Sequence, residues 1–183
     1  MKVVETHISD VLILEPEIFE DNRGFFYEGY NKQKFAKIIG SSVEMVQENY
    51  SYSVKNVLRG LHYQLIHPQG KLVSVVSGEV FDVAVDLRKN SPNFKQWVGT
   101  ILTSQSKRLF WIPKGFAHGF VVLSENAELL YKTTDFYDPV SEKSIRWDDP
   151  ELAIPWPMSG EPVLSEKDRK GSLLREAEVY TRF

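Results

Sequence analysis

The chain has 183 residues, a length that fits one domain spanning 1–183, and its 42% hydrophobic and 13% aromatic content suffices for a real core. A net charge of −3 with no basic run argues against a nucleic-acid footprint, and no stretch approaches the roughly 18 apolar residues of a membrane span. The absence of cysteine removes disulfides, thiolate metal sites and cysteine nucleophiles. Residues 1–10 carry no signal-peptide core, so a cytoplasmic protein is expected.

In chain order, residues 11–14 are all apolar and close at Pro16, which predicts a strand. Asp21, Asn22, Arg23 and Gly24 predict a turn, and residues 25–28 another strand. Residues 31–39 are the best helix: Phe35, Ile38 and Ile39 share one face, and Gly40 is a stop signal. From Val43 onward the pattern is strands. The valine-rich run 71–76 ends at the turn dipeptide Ser77-Gly78. Residues 80–87 then alternate, with Phe81, Val83, Val85 and Leu87 on one face and Asp82, Ala84 and Asp86 on the other, so the two runs predict a hairpin. Strands over 97–102, 108–112, 119–123 and 127–133 follow at regular spacing. Many short strands between turns predict a sandwich, jelly roll or barrel. The tail beyond Pro150 is proline-rich, with one short helix over 165–171. No repeat, low-complexity segment or interdomain linker interrupts the chain.

The chemistry-bearing residues lie in the strand-rich part. His62 sits in Arg59-Gly60-Leu61-His62-Tyr63-Gln64, and His118 in Ile112-Pro113-Lys114-Gly115-Phe116-Ala117-His118-Gly119. A histidine titrates near neutral pH and can take and return a proton. His62 shares a strand face with Gln64, and a barrel would turn that face inward. A carboxylate behind it would make it a base; a backbone carbonyl would make it a core histidine. Pro113-x-Gly115-x-x-His118 resembles the second motif of the cupin superfamily, but the paired histidines of the first motif are absent. A catalytic metal site usually needs three protein ligands, so no working metal site is expected, and His118 is as open to a structural role as to a functional one. The Tyr131 hydroxyl could donate a proton to a carbanion or enolate, though most of the eight tyrosines should simply pack. Lys71 opens a strand, where an inward ammonium would need a wet pocket or an anion and snorkelling is commoner. Arg23, Arg59 and Lys167 could grip phosphate, and each alone reads as surface charge. Asp168 lies in Ser165-Glu166-Lys167-Asp168, a helix-capping pattern.

Taken together, these segments closely resemble the dTDP-4-dehydrorhamnose 3,5-epimerase family over nearly the whole chain. The blocks include Glu20-Asp21-x-Arg23-Gly24-Phe25-Phe26, Gln47-Glu48-Asn49, Val57-Leu58-Arg59-Gly60-Leu61-His62-Tyr63-Gln64 and Gly70-Lys71-Leu72-Val73. They continue through Trp111-Ile112-Pro113-x-Gly115-Phe116-Ala117-His118-Gly119, Tyr131-Lys132-Thr133-Thr134-x-x-Tyr137 and Leu164-Ser165-x-Lys167-Asp168. The resemblance implies a mainly β, cupin-type jelly-roll barrel with a few short helices, a homodimer, and no metal or other cofactor. It implies epimerisation at C3 and C5 of dTDP-4-dehydro-6-deoxy-D-glucose. His62 would be the base with Asp168 as its charge partner, Lys71 would stabilise the enolate, and Tyr131 would be the acid on the far face. Arg23, Gln47, Asn49, Arg59, His118 and Lys167 would contact the nucleotide diphosphate or sugar. Phe26, Glu28 and Tyr137 would line the thymidine site. Enzymes that invert only one carbon keep much of the same set, so a mono-epimerase is the alternative; a sugar-nucleotide binding module without turnover is a third reading. The apolar residues Val3, Val4, Val11 and Ile13 could add to a neighbouring sheet.

Overall fold

The structure is a computed structural model and describes residues 1–39 and 43–183. In chain order the strands are β1 (Lys2–Glu5), β2 (Leu12–Glu15), β3 (Ile18–Asp21), β4 (Gly24–Tyr27), β5 (Gln47–Val54), β6 (Leu58–Gln64), β7 (Lys71–Ser77), β8 (Glu79–Asp86), β9 (Trp97–Thr103), β10 (Leu109–Ile112), β11 (Phe116–Val122), β12 (Asn126–Thr133) and β13 (Glu142–Ser144). The helices are α1 (Lys32–Ile39) and α2 (Glu166–Arg169). Two sheets face each other. The first runs β1-β2-β10-β7-β12-β5 and the second β13-β6-β11-β8-β9, while β3 and β4 form a separate two-stranded ribbon. This is the mainly β, cupin-type barrel that the strand spacing and the resemblance imply.

Alternation sorts the side chains into three layers. Val73, Val75, Ala127, Leu129, Val80, Ala84, Phe116 and Phe120 meet between the sheets. Leu61, Val83, Val85 and Ala117 point out of the second sheet, where Ile145 and, from the proline-rich tail, Leu152, Ile154, Leu174 and Tyr180 cover them. Leu72, Leu109 and Trp111 point out of the first sheet and are covered by Phe35 of α1. Asn31 caps α1: its Oδ1 accepts from the backbone N–H groups of Gln33 and Lys34 at 3.0 and 3.1 Å. The predicted helix face of Phe35, Ile38 and Ile39 therefore packs as expected. The stop signal at Gly40 lies outside the described residues.

The alternation read along 80–87 holds, and the structure decides which face is inward. Asp82, Ala84 and Asp86 look inward, and the apolar set looks outward beneath the tail. A polar stripe that would suit solvent lines the barrel interior instead. The hairpin expected across Ser77-Gly78 does not form. β7 pairs with β10 and β12, whereas β8 pairs with β9 and β11, so this link carries the chain from one sheet to the other. Gly78 permits the crossing with φ +81°, and a Cβ there would lie 2.1 Å from the Asn126 carbonyl oxygen. β3, β13 and the start of β11 at Phe116 are not foreseen by the residue pattern. Among the described residues no helix is long and apolar enough to cross a membrane.

Candidate active site

Both sheets turn polar side chains into one end of the barrel, around a cavity of about 300 Å³. From the first sheet come Gln47 and Asn49 of β5, Lys71 of β7 and Tyr131 of β12. From the second come His62 and Gln64 of β6 and Glu142 of β13. Tyr137 reaches in from the loop between β12 and β13. Gln64 organises that loop: its Nε2 donates to the His67 and Phe136 carbonyls, and its Oε1 accepts from the Asp138 N–H. Gln47 accepts from the Tyr137 N–H at 3.0 Å and donates to Asn49 Oδ1 at 2.8 Å.

His62 has the carboxylate partner that the inward reading requires. Its Nε2 lies 2.5 Å from Asp168 Oδ1. Asp168 lies both in the capped first turn of α2 and against the His62 ring. The Ser165 Oγ caps α2 by accepting from the Asp168 N–H at 3.2 Å, and it donates to Asp168 Oδ2 at 2.7 Å. The Gly60 N–H adds a contact to Oδ1 at 3.3 Å. Burial opposes ionisation of Asp168, but the bonds from His62, Ser165 and Gly60 prevail and hold its carboxyl below the ordinary value. Burial pushes the His62 imidazole down; the bond to Asp168 resists, and the charges of Lys167 and Lys71 reinforce the fall. The pair is therefore a neutral imidazole on an ionised carboxylate. Nε2–H donates to Asp168, and the lone pair sits on Nδ1.

Lys71 is inward rather than snorkelling. Burial pushes its ammonium down to about 8, resisted by the carboxylates of Glu142 and Asp82. Burial also raises the Tyr131 hydroxyl above its ordinary value; the nearby Arg59 charge opposes this, and Glu142 adds to it. Glu142 is a site residue that the sequence reading missed, because a three-residue strand in a polar stretch has no periodic signal. It accepts from the Tyr137 hydroxyl at 2.8 Å and from Lys167 Nζ at 2.7 Å. Burial opposes its ionisation, but those two donors hold its carboxyl below the ordinary range.

His118 is the register partner of His62 across β6 and β11, and its Nε2 meets Asp82 Oδ1 at 2.8 Å. The two strands approach closely here, past a register shift between His118 and Phe120. A Cβ on Gly60 would lie 2.5 Å from the Gly119 Cα, so both positions require glycine. Arg59 is exposed, with Nε on the Ser53 hydroxyl at 3.1 Å. Among the described residues no group of three or more histidines, aspartates or glutamates could hold a metal ion.

The single chain does not bring every expected residue to the cavity. Arg23 lies on the β3–β4 turn, paired with Asp21 at 2.5 Å. Phe26 is 68% exposed on β4, and Glu28 is tied to Asn31 and Lys34. None of the three lines the cavity: Arg23 and Phe26 lie on the ribbon, which pairs with neither main sheet, and Glu28 follows it directly.

The family model for dTDP-4-dehydrorhamnose 3,5-epimerase matches residues 5–176. The chain is 58% identical over 178 residues to the Salmonella typhimurium enzyme of that name, covering 97% of each. It is 56% identical over 180 residues to the one from Pseudomonas aeruginosa, covering 98% of this chain and 99% of the relative. It superposes with a TM-score of 0.97 and 51% identity on a crystal structure of the Legionella pneumophila dTDP-6-deoxy-D-glucose-3,5-epimerase in complex with dTDP-4-keto-L-rhamnose, covering 100% of this chain and 98% of that one. Fold, site and relatives agree: the chain belongs to the dTDP-4-dehydrorhamnose 3,5-epimerase family of isomerases.

Proposed function

We propose that this chain inverts C3 and C5 of dTDP-4-dehydro-6-deoxy-D-glucose to give dTDP-4-dehydro-L-rhamnose. The observation that carries the reading is the pairing of a carboxylate-backed neutral histidine on one barrel wall with a tyrosine hydroxyl on the other, around one cavity. C3 and C5 both flank the C4 ketone, which acidifies their protons. His62 Nδ1 takes the proton from carbon, and the electron pair moves onto the C4 oxygen as an enolate. The Lys71 ammonium stabilises that developing charge. Tyr131 then returns a proton to the opposite face of the same carbon, which inverts the centre. Proton exchange with solvent restores His62 and Tyr131 for the second carbon. Side chains alone balance this chemistry, so no cofactor is called for.

Gln47, Asn49, Arg59, His118 and Lys167 hold the diphosphate and sugar, and Tyr137 offers an aromatic platform for the thymine. From a second copy of the chain, as part of a homodimer, Arg23 contacts the diphosphate or sugar, and Phe26 and Glu28 line the thymidine site. The supporting feature is the β3–β4 ribbon, which exposes Phe19, Phe25 and Phe26 at 56, 55 and 68% and would dock them on a neighbour. The 183 residues act as one catalytic domain in the cytoplasm.

The test is incubation of dTDP-4-dehydro-6-deoxy-D-glucose with the protein in deuterated water, read by proton NMR and mass spectrometry. Deuterium at both C3 and C5 is expected. Deuterium at one carbon selects a mono-epimerase, and binding with no exchange selects a sugar-nucleotide binding module.

A further inference from the structure

Four aspartates are buried almost completely: Asp82, Asp86, Asp149 and Asp168. Three of them spend both carboxylate oxygens on protein donors. Asp86 takes Arg88 Nε and Nη2 and the Ser91 hydroxyl. Asp149 takes the backbone N–H groups of Glu151, Leu152 and Leu174. Asp168 takes His62, Ser165 and Gly60. Asp82 differs. Its Oδ1 accepts from His118, and its Oδ2 is sealed from solvent with no partner among the described residues. A carboxylate kept only to hold the fold would be saturated as Asp86 and Asp149 are, since a buried unpaired oxygen is costly.

Asp82 points into the same barrel interior as the site. β8 alternates, and its inward set also contains Val80 and Ala84 of the inter-sheet core. Lys71 enters that interior from the facing sheet, on the same face of β7 as the core residues Val73 and Val75. We propose that Asp82 is a positioning residue for the epimerisation: it fixes the His118 ring through Nε2–H and is the buried counter-charge of the Lys71 ammonium. The proposal rests on the function assigned above. With Nε2 committed to Asp82, His118 presents Nδ1 as its one free ring nitrogen, beside the His62 strand position. The groups that face Lys71 are Asp82 of β8, Glu142 of β13, Lys167 of α2, His62 of β6 and Tyr131 of β12. Two carboxylates thus hold the ammonium charged against burial, and Asp82 is the one that neither lysine nor tyrosine neutralises by contact, whereas Glu142 is engaged by Lys167 and Tyr137.

The variant Asp82→Asn keeps the shape and an acceptor for His118 but removes the charge. Lys71 then loses its proton more easily, so the alkaline limb of kcat/KM, expected near 8 for the wild type, moves to lower pH. A fall in kcat of about 10–100-fold accompanies it, the size of effect typical when a group that orients a histidine is removed. An unmoved alkaline limb, with only a lowered melting temperature, would overturn the proposal. Should the variant not fold, the assigned 13Cγ resonance of Asp82 in the wild type carries the test. A carboxylate throughout the active pH range supports the proposal, and a neutral carboxyl there overturns it. Wild-type solvent exchange at C3 and C5 is measured in parallel, so failure of the underlying reaction is told apart from failure of this role.

Discussion

The two walls of the barrel contribute opposite chemistry. The second sheet carries histidines backed by carboxylates, His62 on Asp168 and His118 on Asp82. The first sheet carries Lys71 and Tyr131, a cation and a hydroxyl with no carboxylate hydrogen-bonded to them among the described residues. An inversion needs this division. A single base tends to return a proton to the face it came from, whereas a base and an acid on separate walls address the two faces of one carbon. Sheet topology sets the opposition of the two groups: β6 and β12 belong to different sheets, so their side chains meet across the interior rather than side by side.

Removing the base should break the comparison most severely. His62→Ala is expected to lose about 10²–10⁴ in kcat, read as solvent exchange at C3 and C5. Asp168→Asn leaves the imidazole in place but loosens its tautomer and orientation. A smaller loss of about 10–100-fold is expected, with substrate binding little changed. Wild-type pH dependence sharpens the assignment of the walls. His62 acts when neutral and its imidazole is pushed below the usual 6.5, so activity falls on the acid side below that value. Lys71 acts when charged and sits at about 8, so activity falls again as pH rises through that point. A single alkaline limb near the ordinary tyrosine range would remove Lys71 from the enolate role. Away from both walls, Arg23→Ala should raise KM by about tenfold (~1.4 kcal/mol) while kcat stays close to wild type. Phe35→Ala should cost about 3–5 kcal/mol of stability, measured by denaturant unfolding, with little change in kcat per folded molecule.

Much of the fold was legible in residue pattern, because β-strand alternation and turn dipeptides are local signals. The strands over 97–102 and 127–133, the α1 face and the short helix after Ser165 all appear close to where the pattern puts them. Sheet partnership was not local. Ser77-Gly78 has hairpin chemistry, yet the strands on either side separate into different sheets, and only the long-range pairings of β10 and β12 decide that. The site was legible in the same uneven way. Residue chemistry marked His62 and His118, whereas Asp168 showed only the capping pattern that it completes with Ser165; its contact with His62, 106 residues earlier, has no local signal. Alternation put Asp82 on one face of its strand but could not say which face turns inward. Here the tail beyond Pro150 makes a second core on the outer face and leaves the polar stripe for the interior. Glu142 carried no local signal at all.

The opposed walls are tested most directly by Tyr131→Phe in deuterated water with dTDP-4-dehydro-6-deoxy-D-glucose. With His62 intact and the far-face acid removed, deuterium is expected to enter beside the ketone with the original configuration retained, and the inverted product is lost. Inverted product formed at the wild-type rate, with deuterium at C3 and C5, would contradict it.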